Sequence, residues 1–279
     1  MNFVACFPFV ATSCYQRPTC SQLQRAKVTQ LVVGGNKLPR RCWFPVVEAR
    51  LELVKICGIT CEEDARMVCE AIEKRRKQKE RIGEAIRFLL GVIFCSSSKR
   101  NVGVETARQI VKTANHFHTQ VVGVFVHQDA SNIIKICEQT GISIAQLHGE
   151  VSRQSLSLLP RWIECIPVVS VRPDGSWDTS AEYLAQVLGC WVLFDSPGGG
   201  TGKTFSWNNF SPPTHFKWIL AGGIRPDNLE SALSELSPCG VDISSGVCLS
   251  DGIHKSPLLV DTFLDLICKL HFNETQQQL

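Results

Sequence analysis

Apolar residues follow two alternating patterns from residue 51 onward. Short, nearly continuous apolar runs are typical of strands buried on both faces. They alternate with longer segments in which apolar residues recur every three or four positions, the pattern of amphipathic helices. The eight predicted strands are LELVKICG (51–58), FLLGVIF (88–94), QVVGVFV (120–126), SIAQLHG (143–149), ECIPVVSV (164–171), WVLFD (191–195), KWILAGG (217–223) and GVDISSG (240–246).

Helical spacing follows nearly every predicted strand. We expect Thr60 and Pro226 at helix starts and Gly141 at a helix end, while Pro160 breaks a poorer helix over residues 152–162. The remaining predicted helices are CEEDARMVCEAIEKRRK (61–77), VETARQIVKTANHF (104–117), SNIIKICEQTG (131–141), AEYLAQVLG (181–189), PDNLESALSELS (226–237) and PLLVDTFLDLICKLHF (257–272).

This alternation predicts an α/β fold, a (β/α)8 TIM barrel forming a single domain over residues 48–279. Roughly 200–250 residues is an ordinary length for such a barrel. The rival architecture is an open, doubly wound parallel sheet, which also alternates strands with helices. In a barrel the active site lies at the carboxyl ends of the strands, so those ends are the place to search for chemistry.

Charge separates the first 47 residues from the rest. Residues 1–47 contain six basic and no acidic residues, which leaves the remainder at −3 in a chain of net charge +3. This composition predicts a disordered transit peptide that ends between about residues 40 and 50. The alternative is an ordinary disordered tail. The small net charge argues against nucleic acid as a partner, and no apolar run reaches the length of a membrane span.

The chain has 14 cysteines, and four of them lie in residues 1–47. None forms a C-x-x-C pair, and no Cys/His cluster has the spacing of a zinc site. Most of these cysteines are therefore expected to be reduced and buried as small apolar side chains. No metal site is predicted.

The stretch GGGTGKT (198–204) superficially resembles a nucleotide-binding P-loop. The motif G-x-x-x-x-G-K-[ST] requires a glycine at position 197, which is Pro197, and the residues after Lys203 lack helical spacing. We instead expect a mobile loop at the end of the sixth strand that closes over the site, with Gly199, Gly200 and Gly202 giving it freedom.

Small and polar residues collect at the strand ends. The turns after strands seven and eight usually bind phosphate in such barrels through backbone amides, so the ligand is predicted to carry a phosphate. The strand-end groups are Cys57-Gly58, Ser96–Arg100, Val126-His127, Leu147-His148-Gly149, Asp195 with the glycine loop, Gly222-Gly223 and Ser244–Gly246.

Seven segments of the chain, in order and one per βα unit, resemble the phosphoribosylanthranilate isomerase family of tryptophan biosynthesis. The resemblance implies a cofactor-free and metal-free Amadori rearrangement of a small phosphosugar, by a monomer or homodimer in the chloroplast stroma. The matching segments are KICGIT (55–60), SKR (98–100), GVFV (123–126), QLHGE (146–150), FDSPGGGTGKTFSW (194–207), LAGGIRPDNL (220–229) and GVDISSGV (240–247).

The resemblance also implies roles for individual residues. Cys57 corresponds to the general base and Asp195 to the general acid, while Arg100 corresponds to the arginine that holds the anthranilate carboxylate. His148 either contacts the substrate or only fills the barrel mouth. Cys57 must be partly ionised to act, so a nearby cation or a helix end is expected to lower its pKa, and burial is expected to raise that of Asp195. The residues that would bind the phosphate are Gly222, Gly223, Ser245 and Gly246.

Several positions depart from the family pattern. Residues 73–84 (EKRRKQKERIGE) make the first helix longer and more charged, and we expect a solvated extension away from the mouth. Displacement of the second strand, and with it Arg100, is the alternative. Cys248, Ser256 and Ser206 replace residues common in the family. A neighbouring phosphate-binding barrel enzyme or a catalytically silent binding barrel therefore remain competing functions, although Cys57 argues against the first.

Overall fold

The computed structural model describes residues 51–78, 86–177, 190–196, 204–211 and 216–277, together with residues 32–33 and 36–37. The chain divides into two units, Met1–Pro45 and Val46–Leu279. In the first unit, the described residues form two short antiparallel strands, Val32–Val33 and Asn36–Lys37. The rest of the predicted targeting segment lies outside the described residues.

Eight parallel strands of the second unit close into a barrel. The last strand pairs with the first, with Asp242 opposite Lys55, so the barrel prediction is confirmed and the open sheet is wrong. The strands are β1 Leu53–Cys57, β2 Arg87–Phe94, β3 Gln120–Phe125, β4 Ile144–Leu147, β5 Glu164–Ser170, β6 Val192–Asp195, β7 Trp218–Leu220 and β8 Gly240–Ile243.

Strands β1 to β7 each contribute to two apolar layers because successive side chains point to opposite faces. In β1, Val54 and Ile56 pack against the helices, while Leu53 packs inside the barrel. Burial of each such side chain stabilises the fold by about 1.5–3 kcal/mol, which explains why the strands are nearly all apolar. The inner layer consists of Leu53, Leu89, Val122, Ile144, Ile166, Val168, Leu193, Ile219 and Ala221.

Helices surround the barrel at the predicted places. The predicted helix at 181–189 lies outside the described residues, and the described residues between β6 and β7 contain only a 3-10 turn, Trp207–Asn209. None of the described helices combines the length and apolar character needed to cross a bilayer. The helices are α1 Glu62–Gln78, α2 Val104–His116, α3 Ala130–Thr140, α4 Glu150–Gln154, α5 Leu229–Leu236 and α6 Pro257–Gln277, with further 3-10 turns at Leu156–Leu158 and Ser245–Val247.

The predicted helix ends are right in one case and wrong in two. Gly141 closes α3, and its N–H donates to the Cys137 carbonyl. Thr60 does not cap α1, because Cys61 Sγ accepts the Asp64 backbone N–H at 3.5 Å instead. Pro226 does not begin α5, since it lies in a turn three residues before Leu229.

The charged end of α1 is less solvated than predicted. Arg75 is only 4% exposed, and its guanidinium binds Asp261 and Asp265 of α6. This contact joins the first and last helices where the barrel closes, so the expectation of a solvated extension is wrong for Arg75. Residues 79–85 lie outside the described part. The extension leaves β2 in place, since Arg87 pairs in register with Leu53 of β1.

Candidate active site

A cavity of about 490 Å³ opens at the carboxyl ends of the barrel strands. Gly246 is not among the described residues that line it, and Gly199, Gly200 and Gly202 lie outside the described residues. The barrel topology therefore gathers most of the predicted strand-end residues around one space. The predicted residues that line the cavity are Cys57, Arg100, His148, Asp195, Gly222, Gly223 and Ser245.

Asp195 ends β6 as a buried carboxylate with an incomplete set of partners. Its Oδ1 atom has no hydrogen-bond partner among the described residues, and its Oδ2 atom lies 3.9 Å from His148 Nε2. Burial and the nearby Asp242 carboxylate together raise the pKa of Asp195 to about 7, although Ser196 and Lys55 oppose the shift. Asp195 can therefore hold a proton near neutral pH, as a general acid must.

Cys57 ends β1 and is also buried, with 6% exposure. Burial raises the pKa of the Cys57 thiol, although the Lys55 ammonium pulls in the opposite direction. The expectation that a nearby cation would lower this pKa below its ordinary value is thus wrong in its net direction. The cation is present, but desolvation of the thiolate outweighs it.

A buried ion pair beneath these two residues was not predicted. Lys55 Nζ donates to Asp242 Oδ2 at 2.9 Å, and Lys55 is fully buried. Burial opposes the charged form of Lys55, but the attraction to Asp242 outweighs it and keeps the pKa of Lys55 above its ordinary value. The sequence did contain a signal for Lys55 and for Asp242. Each is a lone charge inside an apolar strand, two residues before a strand-end group. Asp242 Oδ1 has no partner among the described residues and lies in the cavity wall.

Arg100 enters the cavity beside the turn that follows Cys57. Its Nη1 donates to the Gly252 carbonyl at 2.7 Å, in the loop after β8. Gly58 has a φ of +76°, and a Cβ atom there would lie 2.6 Å from Arg100 Cδ. Glycine is therefore required at this position both for the turn and for the passage of the arginine side chain.

Another part of the cavity wall is made of small residues at the ends of β7 and β8. Gly222 has a φ of +87°, and a Cβ atom there would lie 2.5 Å from Ser196 Oγ. This wall also includes Gly223, Ser244 and Ser245. Backbone amides in such turns suit the binding of an anion. Gly246 permits close packing instead, because a Cβ atom there would lie 2.1 Å from the Ile224 carbonyl oxygen.

His148 and Gln146, two residues apart on the β4 side, complete the cavity wall. Burial and the Lys55 charge lower the pKa of His148, so its imidazole is neutral at neutral pH. Gln146 Oε1 has no partner among the described residues, and the sequence analysis did not single it out.

None of the ten described cysteines forms a disulfide bond, and seven of them are buried, as predicted. Within the described part of the chain, no group of His, Cys, Asp or Glu residues is arranged to hold a metal ion. A second cavity of about 400 Å³ near Trp191 is lined mainly by apolar side chains. The convergence of Cys57, Asp195 and Arg100 identifies the barrel mouth as the candidate active site.

Comparisons with known proteins agree with this geometry. The family model described as "N-(5'phosphoribosyl)anthranilate (PRA) isomerase" matches residues 55–265. The chain is 35% identical to N-(5'-phosphoribosyl)anthranilate isomerase 1, chloroplastic, of Arabidopsis thaliana, over 79% of this chain and 76% of the relative.

Two solved structures are also similar. The phosphoribosyl anthranilate isomerase of Thermus thermophilus has a TM-score of 0.63 and 29% identity, over 78% of this chain and 98% of that one. Monomers generated from the dimeric isomerase of Thermotoga maritima give a TM-score of 0.53 and 25% identity, over 77% and 97%.

Proposed function

The chain belongs to the N-(5'-phosphoribosyl)anthranilate isomerase family, and on that basis we propose that Cys57 is its general base and Asp195 its general acid. The enzyme catalyses the Amadori rearrangement of N-(5-phosphoribosyl)anthranilate to 1-(2-carboxyphenylamino)-1-deoxyribulose 5-phosphate in tryptophan biosynthesis. The observation that carries the two roles is the placement of both buried groups in one cavity, with opposite proton requirements.

The first step opens the ribose ring. The Asp195 carboxyl donates its proton to the ring oxygen as the bond from that oxygen to C1 breaks, and the nitrogen lone pair forms an iminium at C1. The raised pKa of Asp195, about 7, supports this role because a substantial fraction of the carboxyl is protonated near neutral pH.

In the second step, the Cys57 thiolate takes the proton from C2. The electrons of the C2–H bond move to the C1–C2 bond and neutralise the iminium. The resulting enol then tautomerises to the 2-keto product. Lys55 supports the thiolate electrostatically, although burial keeps the thiol the major form in the free protein.

These proton requirements predict a bell-shaped dependence of kcat/KM on pH. Activity needs Asp195 protonated and Cys57 ionised, while the pKa of Asp195 is about 7 and that of Cys57 is raised above its ordinary value. The productive combination is therefore a minority at every pH, and its fraction is largest between the two pKa values.

Substrate binding is proposed to use two groups of residues that line the cavity. Arg100 holds the anthranilate carboxylate through its planar guanidinium, which suits a planar carboxylate. The amides of Gly222, Gly223 and Ser245 in the cavity wall, with that of the adjoining Gly246, hold the phosphate. His148 is a neutral neighbour of Asp195 that contacts either the substrate or the acid.

The decisive experiment follows the fluorescence decay of freshly made phosphoribosylanthranilate with the full chain and with Cys57→Ser and Asp195→Asn. Each variant should lose about 10²–10⁴-fold in kcat, the usual contribution of a positioned acid or base. Cys61→Ser is the matched control, since it makes the same change outside the cavity and serine can also cap α1. Retention of parental kcat by either site variant would remove the proposed role of that residue.

We also propose that residues 1–47 direct the protein to the chloroplast stroma and are then removed. The support is their acid-free, basic composition and the chloroplastic relative in Arabidopsis thaliana. An import assay with isolated chloroplasts should show cleavage of the full chain and no import of a chain lacking these residues. A monomer or homodimer is our expectation for its assembly, and the dimeric Thermotoga maritima relative fits the second possibility.

A further inference from the structure

Lys255 lies in the loop after β8, and its ammonium is buried beside the end of β1. The residue is only 2% exposed. Its three ammonium donors meet three acceptors: the Cys57 carbonyl at 2.7 Å, the Ser244 carbonyl at 3.1 Å and Cys248 Sγ at 3.3 Å. Lys255 thus connects the last βα turn of the barrel directly to the backbone of the residue proposed as base.

The Cys57 carbonyl is held from two directions. Ser244 Oγ donates to it at 3.1 Å, alongside the Lys255 ammonium. On the other side of the turn, the Gly58 N–H donates to the Gly91 carbonyl at 2.9 Å. The peptide that joins Cys57 to Gly58 is therefore fixed at both its oxygen and its nitrogen.

We propose that Lys255 is a positioning residue for Cys57, which fixes the Cys57 backbone in the barrel mouth and places a positive charge behind its thiol. The proposal rests on the proposed role of Cys57 as general base. It assigns a function to a lysine that no strand-end argument selects.

The set of acceptors around the ammonium argues against a role in stability alone. Among the described residues, the acceptors of Lys255 Nζ are two neutral carbonyls and a sulfur atom. The nearby Asp64 carboxylate accepts the Lys255 backbone N–H, at 2.9 Å, rather than the ammonium. A buried ammonium without a carboxylate partner is costly, and burial lowers the pKa of Lys255 accordingly. A purely structural contact at this place could be apolar.

The charge of Lys255 acts on the thiol together with other groups around it. Lys55 of β1 and Lys255 favour the thiolate, whereas Asp242 of β8 disfavours it. Cys248 and Cys57 favour the charged form of Lys255, and Arg100 disfavours it. Removal of the Lys255 charge should therefore raise the pKa of Cys57 further.

The test compares the full-length protein with Lys255→Met, an unbranched replacement that removes charge and donors. We expect kcat to fall about a hundredfold and KM to rise much less, because the base is displaced, whereas among the substrate contacts only the Ser245 amide, in the peptide that Lys255 holds at the Ser244 carbonyl, is disturbed. The rate at which iodoacetamide alkylates Cys57 is followed by mass spectrometry of the Cys57 peptide. In the variant, the midpoint of the pH dependence of this rate should move to a higher pH. Lys217→Met is the matched control, since Lys217 pairs with Glu52 at the opposite end of the barrel and its loss should leave both readouts unchanged.

A second variant, Lys255→Gln, keeps the proposal testable if Lys255→Met does not fold. Glutamine keeps donors for the carbonyls but removes the charge, so it should shift the alkylation profile of Cys57 and reduce kcat less than methionine does. A parental alkylation profile and kcat in the folded variants would overturn the proposal. The alkylation profile does not depend on the catalytic role of Cys57, so an active Cys57→Ser would reject the base assignment separately.

Discussion

The two ends of the barrel interior contain similar charged residues but satisfy them differently. At the amino ends of the strands, Arg87 binds both carboxylate oxygens of Glu164, at 2.7 and 2.8 Å, and donates to Gln120 Oε1 at 2.9 Å. At the carboxyl ends, Lys55 engages one oxygen of Asp242. Asp195 Oδ1 and Asp242 Oδ1 have no partners among the described residues.

The paired charges at the amino ends hold the closed barrel together, whereas the partly unpaired charges at the carboxyl ends are arranged to receive a ligand. Buried polar atoms are nearly always paired in folded proteins, so several unpaired oxygens in one cavity indicate groups that await a partner. Such a site stabilises the folded chain less than a paired one, and its fixed charges act on the transition state instead. Substitutions at the mouth should therefore change activity, whereas substitutions at the opposite end should change only stability.

The largest expected effect concerns the stability cost of Asp195. Its pKa is about 7 in the folded protein against an ordinary value of 3.8, so the folded state binds the proton more tightly than the unfolded state does. Stability of the parent must therefore fall as pH rises between these values. Asp195→Asn removes the effect and should stabilise the protein by up to about 4 kcal/mol above pH 7.

Urea denaturation at about pH 5 and about pH 8 measures this difference. The advantage of Asp195→Asn over the parent should grow with pH. Asp174→Asn provides the contrast, because hydrogen bonds from Ser176 lower the pKa of this exposed carboxyl below 3.8; its loss should destabilise the protein to the same extent at both pH values. An advantage that is equal at both pH values would show that the mouth does not destabilise the fold through this carboxyl.

The next effect, about 2 kcal/mol, concerns one arginine at each end of the barrel, Arg100 in the cavity and Arg87 at the amino ends of the strands. Arg100→Met should lower kcat/KM about thirtyfold, mainly by raising KM, because a charge-assisted contact with the substrate carboxylate is lost. Arg87→Met, the same change at the other end of the barrel, should reduce stability and leave KM unchanged. A fall in kcat at constant KM in Arg100→Met would mean that Arg100 acts on the reaction rather than on binding.

The sequence predicted the mouth better than the base of the cavity. Cys57, Arg100 and Asp195 could be selected because parallel strands in a barrel bring their carboxyl ends together, whatever the details of packing. Lys55 and Asp242 are single charges within apolar runs, and their pairing depends on closure of β8 against β1. That register is a property of the closed barrel and not of either strand.

Contacts made by loops and helices were predicted least well. The bond from Lys255 to the Cys57 carbonyl joins residues 198 positions apart, and no local pattern indicates it. Arg75 belongs to a run of charges that is usually solvated, yet the neighbouring acids on α6 draw it into a buried contact. In both cases the partner of a long side chain is distant in sequence, and only the closed barrel brings the two together.

The smallest expected effect is at the satisfied end. Glu164→Gln should reduce stability by about 1 kcal/mol, since the side chains of Arg87 and Glu164 are 31% and 39% exposed and solvent weakens their attraction. Because the amide still accepts one hydrogen bond from Arg87, kcat and KM should stay at parental values, as urea denaturation and the fluorescence assay can show. A loss of activity here would mean that the amino end of the barrel sets the geometry of the mouth, and the division between a structural end and a catalytic end would then fail.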